Sequence, residues 1–391
     1  MKIDSVDFYY LSMPQVLDVG DGSQDVLLVR LRSGEWEGWG ECEASPLTSI
    51  ASFVTPMSHS ACKPVRDSVL GERLDSIADI SRIGDLVRAN SLDLLQTDHT
   101  LSGIDMALWD LMGKREGAPV HELLGFGRMF PKRPYASQLF GDTPQETFEL
   151  ARRTISDRYT AAKFGWGPFG LGSAAIDIAH IEAAREGLGP EATMLIDVGT
   201  VWIDDVDRAM ERMDALQRAN VTWLEEPFVS GAFNSYSALA AQSGSVALAA
   251  GEGCHSAWQA RHMIDYANLG YIQIDAGRIG GITPAVEVAS YARERNVTYV
   301  NHTFTSHLAL SASLLPFAGF QDDVICEYPV APKSLAWEVT VEHIERDSAG
   351  LVHLPDGPGL GMTVNTDALQ KYLVEVDITV GGKTIYRTPV L

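Results

Sequence analysis

The sequence predicts an α/β protein: an eight-stranded (β/α) barrel of the TIM type, accompanied by a separate α+β unit. Three observations carry this reading. The chain has 391 residues, more than the roughly 250–300 at which a single hydrophobic core stops growing. From about residue 134 onward, short β-rich runs recur with helical segments between most of them. Eight such runs in roughly 200 residues suit a closed barrel better than an open doubly wound sheet.

The first part of the chain reads differently. Residues 1–45 alternate apolar and polar positions through turn-rich stretches such as DGSQDVLLVRLRSGEWEGWGE, which predicts antiparallel strands and hairpins. A helix is expected over Ile77–Leu94. A second is expected over Gly103–Glu116, with Ile104, Met106, Ala107, Leu108, Leu111 and Met112 on one apolar face.

The barrel runs follow in order. PYASQLF leads to a helix opened by a capping box, Thr143 with Glu146 three residues on. TAAKFGW leads, through the glycine-rich GPFGLG loop, to AAIDIAHIEAAREG, a helix expected to stop at its closing Gly187. ATMLIDV leads to DVDRAMERMDALQRAN, and VTWLEEP, SVALAAGE, GYIQIDA, VTYVNH and DVICEY complete the set. The final stretch, from GPGLGMTVNTDALQKYL, returns to the first unit and ends in a hairpin around Gly381 and Gly382. The expected divisions are residues 1–130, 131–340 and 341–391.

Charge excludes several roles. Lys plus Arg number 30 against 52 Asp plus Glu, a formal charge of -22. Such a surface repels phosphate backbones and anionic membranes, so neither nucleic acid nor membrane is expected as a partner. An anionic substrate must find a metal or a few placed cations. Cys42, Cys62, Cys254 and Cys326 show no CxxC spacing and make neither a disulfide framework nor a structural zinc site. MKIDSVDFYY lacks a signal peptide's apolar run, and Leu308–Phe320 is too short to span a bilayer. A cytoplasmic protein is expected.

The chemistry lies at the ends of the β-runs. Asp197, Glu225, Glu252, Asp275, His302 and Glu327 follow one another at intervals of 23 to 28 residues, about one βα unit each. In a barrel this places all six around the C-terminal mouth, where barrel active sites sit. Like charges so close are costly unless a cation neutralises them, which calls for a hard divalent metal. All-oxygen ligands favour Mg²⁺ or Mn²⁺ over zinc.

LIDVGTVW, WLEEP, AGEG, IDAGRIGG and VNH, in this order and spacing, resemble the enolase superfamily, mandelate racemase branch. The resemblance covers essentially the whole chain. It implies a modified barrel with an α+β capping domain built from both termini, in a superfamily that pairs a Lys or His base with Mg²⁺. It implies that Asp197, Glu225 and Glu252 ligate the metal, while Glu226 points away and is structural. His302 with Asp275 resembles the dyad that serves as general base or acid. Glu327 matches the glutamate that contacts the substrate carboxylate in its protonated form. Val16–Asp25 and Ser45–Met57 match the two loops that close over the substrate. A homo-oligomer and a small carboxylate substrate are also expected.

One departure bears on the reaction. The branch shows Lys-x-Lys on the second strand, and here the run is Lys163-Phe164-Gly165. Lys163 matches the first lysine, placed near the substrate carboxylate; the alternative is a buried lysine paired with an acidic ligand. With the second lysine replaced by Gly165, a two-base racemase loses one acid/base group unless Lys163, a tyrosine or a capping-loop residue acts on that face. Dehydration of a sugar acid (aldonate or aldarate) to a 2-keto-3-deoxy acid is the leading expectation, and a racemase or epimerase the alternative. A cycloisomerase is disfavoured, since a lysine dominates that group's sixth-strand position and here it is Asp275. A metal-independent glycosidase using Glu225 and a non-catalytic scaffold are more remote. Cys254 and His255 are expected behind the site, His307 in a structural helix, and Arg278 as a support for Asp275 or a loop.

Overall fold

The computed structural model describes residues 1–43 and 45–391. Strands β1 (Ser5–Ser12), β2 (Asp25–Ser33) and β3 (Trp36–Cys42) form an antiparallel sheet in that order. The helix Thr97–Glu116 lies flush against β3 because the contact is made by glycines. A Cβ built on Gly40 would stand 2.1 Å from the Gly103 carbonyl oxygen, a distance no real pair tolerates.

That helix starts earlier than the expected Gly103, and it is buried nearly all round rather than on one face. Its polar residues explain the difference, because they join the cap to the barrel. The Trp109 indole donates to Thr283 Oγ1 at 2.9 Å, Asp105 accepts from the Thr283 N–H at 3.0 Å, and the Gly280 N–H donates to Ser102 Oγ at 2.9 Å. The helix expected over Ile77–Leu94 spans Ala78–Asn90.

The eight expected runs are eight parallel strands: β4 (Arg133–Leu139), β5 (Ala161–Gly165), β6 (Thr193–Asp197), β7 (Val221–Glu225), β8 (Ala247–Ala250), β9 (Tyr271–Asp275), β10 (Thr298–His302) and β11 (Ile325–Pro329). They neighbour one another in the order β10-β9-β8-β7-β6-β5-β4-β11. Tyr135, Ala161, Leu195, Trp223, Ala249, Val300 and Ile325 form a separate apolar cluster that fills the barrel interior. The seam between β10 and β11 is closed by a side chain: Asn301 Oδ1 accepts from the Glu327 N–H at 3.0 Å, and its amide donates to the Glu327 carbonyl at 3.4 Å.

Local signals behave as expected in most places. Thr143 and Glu146 form a reciprocal capping box on the helix Pro144–Ser156. The next helix, Ala174–Leu188, does not stop at Gly187. It ends at Gly189, whose positive φ of 77° with an extended ψ of 173° is a conformation that favours glycine. Gly187 instead lets two helices touch, since a Cβ there would lie 2.6 Å from that of Ala151.

The C-terminal stretch returns to the first sheet. The Val374 N–H donates to the Tyr10 carbonyl at 2.8 Å, and the Tyr386 hydroxyl to that of Phe8 at 2.7 Å. It ends in the hairpin of β12 (Asp377–Val380) and β13 (Lys383–Arg387), turning at Gly381 and Gly382. The four cysteines are free. Among the described residues, no helix is long and apolar enough to cross a membrane.

Candidate active site

Parallel register sets the level of each site residue. Gly165 pairs with Asp197, Asp197 with Glu225, and Asp275 with His302. These pairs are the last residues of their strands, so their side chains meet at one mouth. A cavity of about 320 Å³ opens there, lined among others by Lys163, Asp197, Glu252, His302 and Glu327.

His302 is held from one side. Its Nδ1 lies 2.6 Å from Asp275 Oδ2, and the other carboxylate oxygen of Asp275 accepts from the Gly277 N–H at 2.6 Å. This fixes the ring and leaves Nε2 facing the cavity, 3.1 Å from Glu252 Oε2. Burial works against a charged imidazole here, but Glu252, Glu327 and Asp275 outweigh it and raise His302 to about 10.

Lys163 reaches inward from β5 into a set of acids. Its ammonium lies 2.5 Å from Glu225 Oε1, 2.9 Å from Glu327 Oε1 and 3.5 Å from Asp197 Oδ2. Burial disfavours this charge, yet the carboxylates hold its pKa well above the usual lysine value. Of the two expectations for Lys163, the structure displays the paired one. Glu225 lies beneath this lysine rather than on the cavity wall, with Oε2 accepting from the Trp223 indole at 2.9 Å.

Glu327 is fully buried. It accepts from Ser137 Oγ at 2.8 Å and from the Thr303 N–H at 2.7 Å. Burial favours its neutral form, but Lys163 and His302 outweigh it and hold the carboxyl below the usual glutamate range. Glu226 is buried too, and the N–H of Gly251 approaches its carboxylate at 3.5 Å.

The carboxylates suit a hard dication by chemistry. Asp197, Glu225 and Glu252 offer only oxygen, and burial raises Asp197 to about 6 and Glu225 to about 8, with neighbouring carboxylates adding to the rise and Lys163 opposing it. A cation among them would relieve that repulsion. In this arrangement Lys163, Arg278 and His302 pair with these carboxylates.

Of the two supports expected from Arg278, its side chain gives the one to a loop rather than to Asp275: it joins the cap to the barrel, with Nε 2.6 Å from Glu43 Oε2 on the segment after β3 and Nη1 3.3 Å from Glu252 Oε1. Both Arg278 and Glu43 line the cavity. Of the two loops expected to close over the site, Val16–Asp25 contributes Val19 to Gly22 as a strap across the mouth. The described part of Ser45–Met57 instead forms the helix Pro46–Val54, with Phe53 packed on Phe8, and no residue of it lines the cavity. The strap rests on two aromatic residues: a Cβ on Gly20 would lie 2.7 Å from the Trp166 ring, and one on Gly22 3.8 Å from Phe304 Cβ. Trp166 holds φ at 56°, unusual for a bulky residue. Cys254 is buried behind the site and His255 stacks on His99. His307 opens the helix His307–Leu314 and accepts from the Ile344 N–H at 2.9 Å.

Comparison with known proteins agrees with this architecture. Residues 146–368 match the family described as enolase C-terminal domain-like, and residues 11–125 match the mandelate racemase / muconate lactonizing enzyme N-terminal domain. The chain belongs to this family of the enolase superfamily. A crystal structure described as a predicted mandelate racemase from Rhodobacter sphaeroides superposes with a TM-score of 0.95 at 57% identity, covering 99% of both chains. D-galactarolactone cycloisomerase of Agrobacterium fabrum is 29% identical over 70% of this chain and 73% of its own. N-succinyl-L-Arg/Lys racemase of Bacillus cereus is 24% identical over 97% and 100%. Arabinonate dehydratase of Saccharolobus solfataricus is 26% identical over 70% and 71%. The relatives are thus enzymes of three reaction types: cycloisomerase, racemase and dehydratase.

Proposed function

We propose that this protein removes the proton α to the carboxylate of a small hydroxy acid and eliminates the neighbouring hydroxyl, converting a sugar acid (aldonate or aldarate) to a 2-keto-3-deoxy acid. The observation that carries this is the His302–Asp275 pair, 2.6 Å apart, set against Gly165. Asp275 fixes the ring so that Nε2 faces the cavity, and with Glu252 engaged by a metal ion rather than by the ring, Nε2 would be free to take a proton from the α-carbon. As the carbon–oxygen bond at the β-carbon breaks, the imidazolium returns that proton to the departing hydroxide as water, and the enol left behind tautomerises to the ketone. One group on one face is enough for this sequence.

Asp197, Glu225 and Glu252 are the residues that would hold Mg²⁺ or Mn²⁺. Such an ion supplies charge stabilisation to the substrate carboxylate as the α-proton leaves. Lys163 supports the same end from beside Glu225 and Glu327. A racemase or epimerase is the second reading, favoured by the nearly full-length match to the N-succinyl-L-Arg/Lys racemase. It requires a proton-transfer group on the Gly165 side, where the Lys163 ammonium is tied to carboxylates.

A pooled sugar-acid screen with Mg²⁺ in D₂O, read by mass spectrometry, tests the proposal. Loss of one water from one acid supports it and identifies the substrate. Deuterium gain without loss of water moves the assignment to the racemase or epimerase, and neither change in any acid counts against both.

A further inference from the structure

The charges that line the cavity limit what the rest of the substrate can carry. Among the described residues, three basic side chains face it, Lys163, His302 and Arg278, and acids already match each one. Lys163 is met by Glu225 and Glu327, and His302 by Asp275 and Glu252. Arg278 is met by Glu43 at 2.6 Å, with Glu252 at 3.3 Å. A first substrate carboxylate has a place beside Lys163 and the metal-ligand set. A second would face Glu43 and Asp21, the latter already paired with the Lys333 ammonium at 3.5 Å, beside an arginine neutralised by the buried Glu43. Desolvating a carboxylate beside like charges is strongly unfavourable.

Ser137 and Gln138 add neutral polar groups to the lining, and the remaining side chains are apolar. Val19, Leu139, Trp166 and Phe304 surround the space under the strap, and Trp166 keeps 43% of its surface exposed. An aromatic wall of this kind favours carbon faces over charge.

Resting on the elimination proposed above, we infer that the substrate is a monocarboxylate. It is of the aldonate rather than the aldarate type, and its uncharged distal carbons lie against Trp166 and Phe304. Glu43 is then a specificity residue: by occupying Arg278 it denies a second carboxylate its counter-charge.

The test pairs six-carbon aldonates with the aldarates of matching configuration. Each acid is titrated by calorimetry into Mg²⁺-loaded wild type, Glu43→Gln and Trp166→Ala, and proton exchange in D₂O is followed in parallel. Wild type should bind the preferred aldonate about tenfold or more tighter than its aldarate, and Glu43→Gln should reduce that preference about tenfold, the scale of one charge-assisted contact. Trp166→Ala should weaken the aldonate about tenfold, on the order of an aromatic contact of this size. This last variant alters an exposed side chain, so it remains informative if Glu43→Gln fails to fold. Aldarate binding as tight as aldonate binding, or Trp166→Ala without effect on the aldonate, overturns the inference. Discrimination in binding with no proton exchange overturns the elimination reading alone. Exchange of an aldarate as fast as its aldonate overturns the inference alone, and failure of every acid to bind overturns both.

Discussion

Asn301 completes the barrel by hydrogen bonding to the backbone of Glu327 on both sides, accepting from its N–H at 3.0 Å and donating to its carbonyl at 3.4 Å. One amide thus takes the place of the missing ladder between β10 and β11, and it fixes the strand that carries a cavity carboxylate. Asn301→Leu preserves volume but strands two buried backbone groups, at about 1–3 kcal/mol for each. Urea unfolding should therefore show a loss of about 2–5 kcal/mol, following the same unpaired groups. A loss near zero would mean that the seam is held by other contacts.

The dyad makes a sharper claim. His302→Asn should lower turnover by about a thousandfold or more, within the usual range for a general base, while metal affinity measured by calorimetry stays near that of wild type. Asp275→Asn should cost about a hundredfold or more, because the ring then loses the partner that sets its tautomer. Turnover unchanged in His302→Asn would remove histidine from the mechanism.

Gly165 shows why the second lysine of the family pattern is missing here. A Cβ at this position would stand 2.8 Å from Asp197 Cβ and 2.9 Å from its Oδ2. Gly165→Ala should push Asp197 aside and weaken Mg²⁺ binding about tenfold to a hundredfold, the usual scale for disturbing a metal ligand's support. The reading is the Mg²⁺ concentration that half-restores activity after chelation. An unchanged midpoint would show that Asp197 either moves freely or does not bind the ion.

The barrel was legible because eight short β-rich runs recur with helices between most of them, and four of these strands close on a polar residue at the mouth, Asp197, Glu225, Asp275 and His302. The capping box at Thr143 and Glu146 was legible for the same local reason. Pairings across the chain were not. Arg278 and Glu43 lie 235 residues apart, and nothing near either one names the other. The resemblance placed Lys163 on the second barrel strand but could not say which of Asp197, Glu225 and Glu327 it would meet. Gly187 and Gly189 both follow a helical run, and sequence gives no way to tell a glycine that caps a helix from one that lets two helices touch. Trp166 sits beside Gly20 only because a strap from the other domain crosses the mouth.

Glu41 carries a pH dependence that can be worked out in sign. It is a buried carboxyl on β3; its Oε2 accepts from the Ser306 hydroxyl, and its Oε1 has no hydrogen-bond partner. Burial raises it from 4.5 to about 7, with Asp275 adding to the rise and the hydrogen bond from Ser306 opposing it. Between those two values the folded protein keeps a proton that the unfolded chain has released, so stability falls as pH rises through this window. By pH 8 the cost reaches about 3 kcal/mol, at 1.36 kcal/mol for each pKa unit. Glu41→Gln cannot ionise and keeps an oxygen for Ser306. Urea unfolding should therefore find this variant more stable than wild type at pH 8, by up to about 3 kcal/mol. The two should converge as pH drops toward the unfolded carboxyl's range of about 4 to 5, where both states hold the proton. A difference that stays constant across that range would show that Glu41 does not titrate within it.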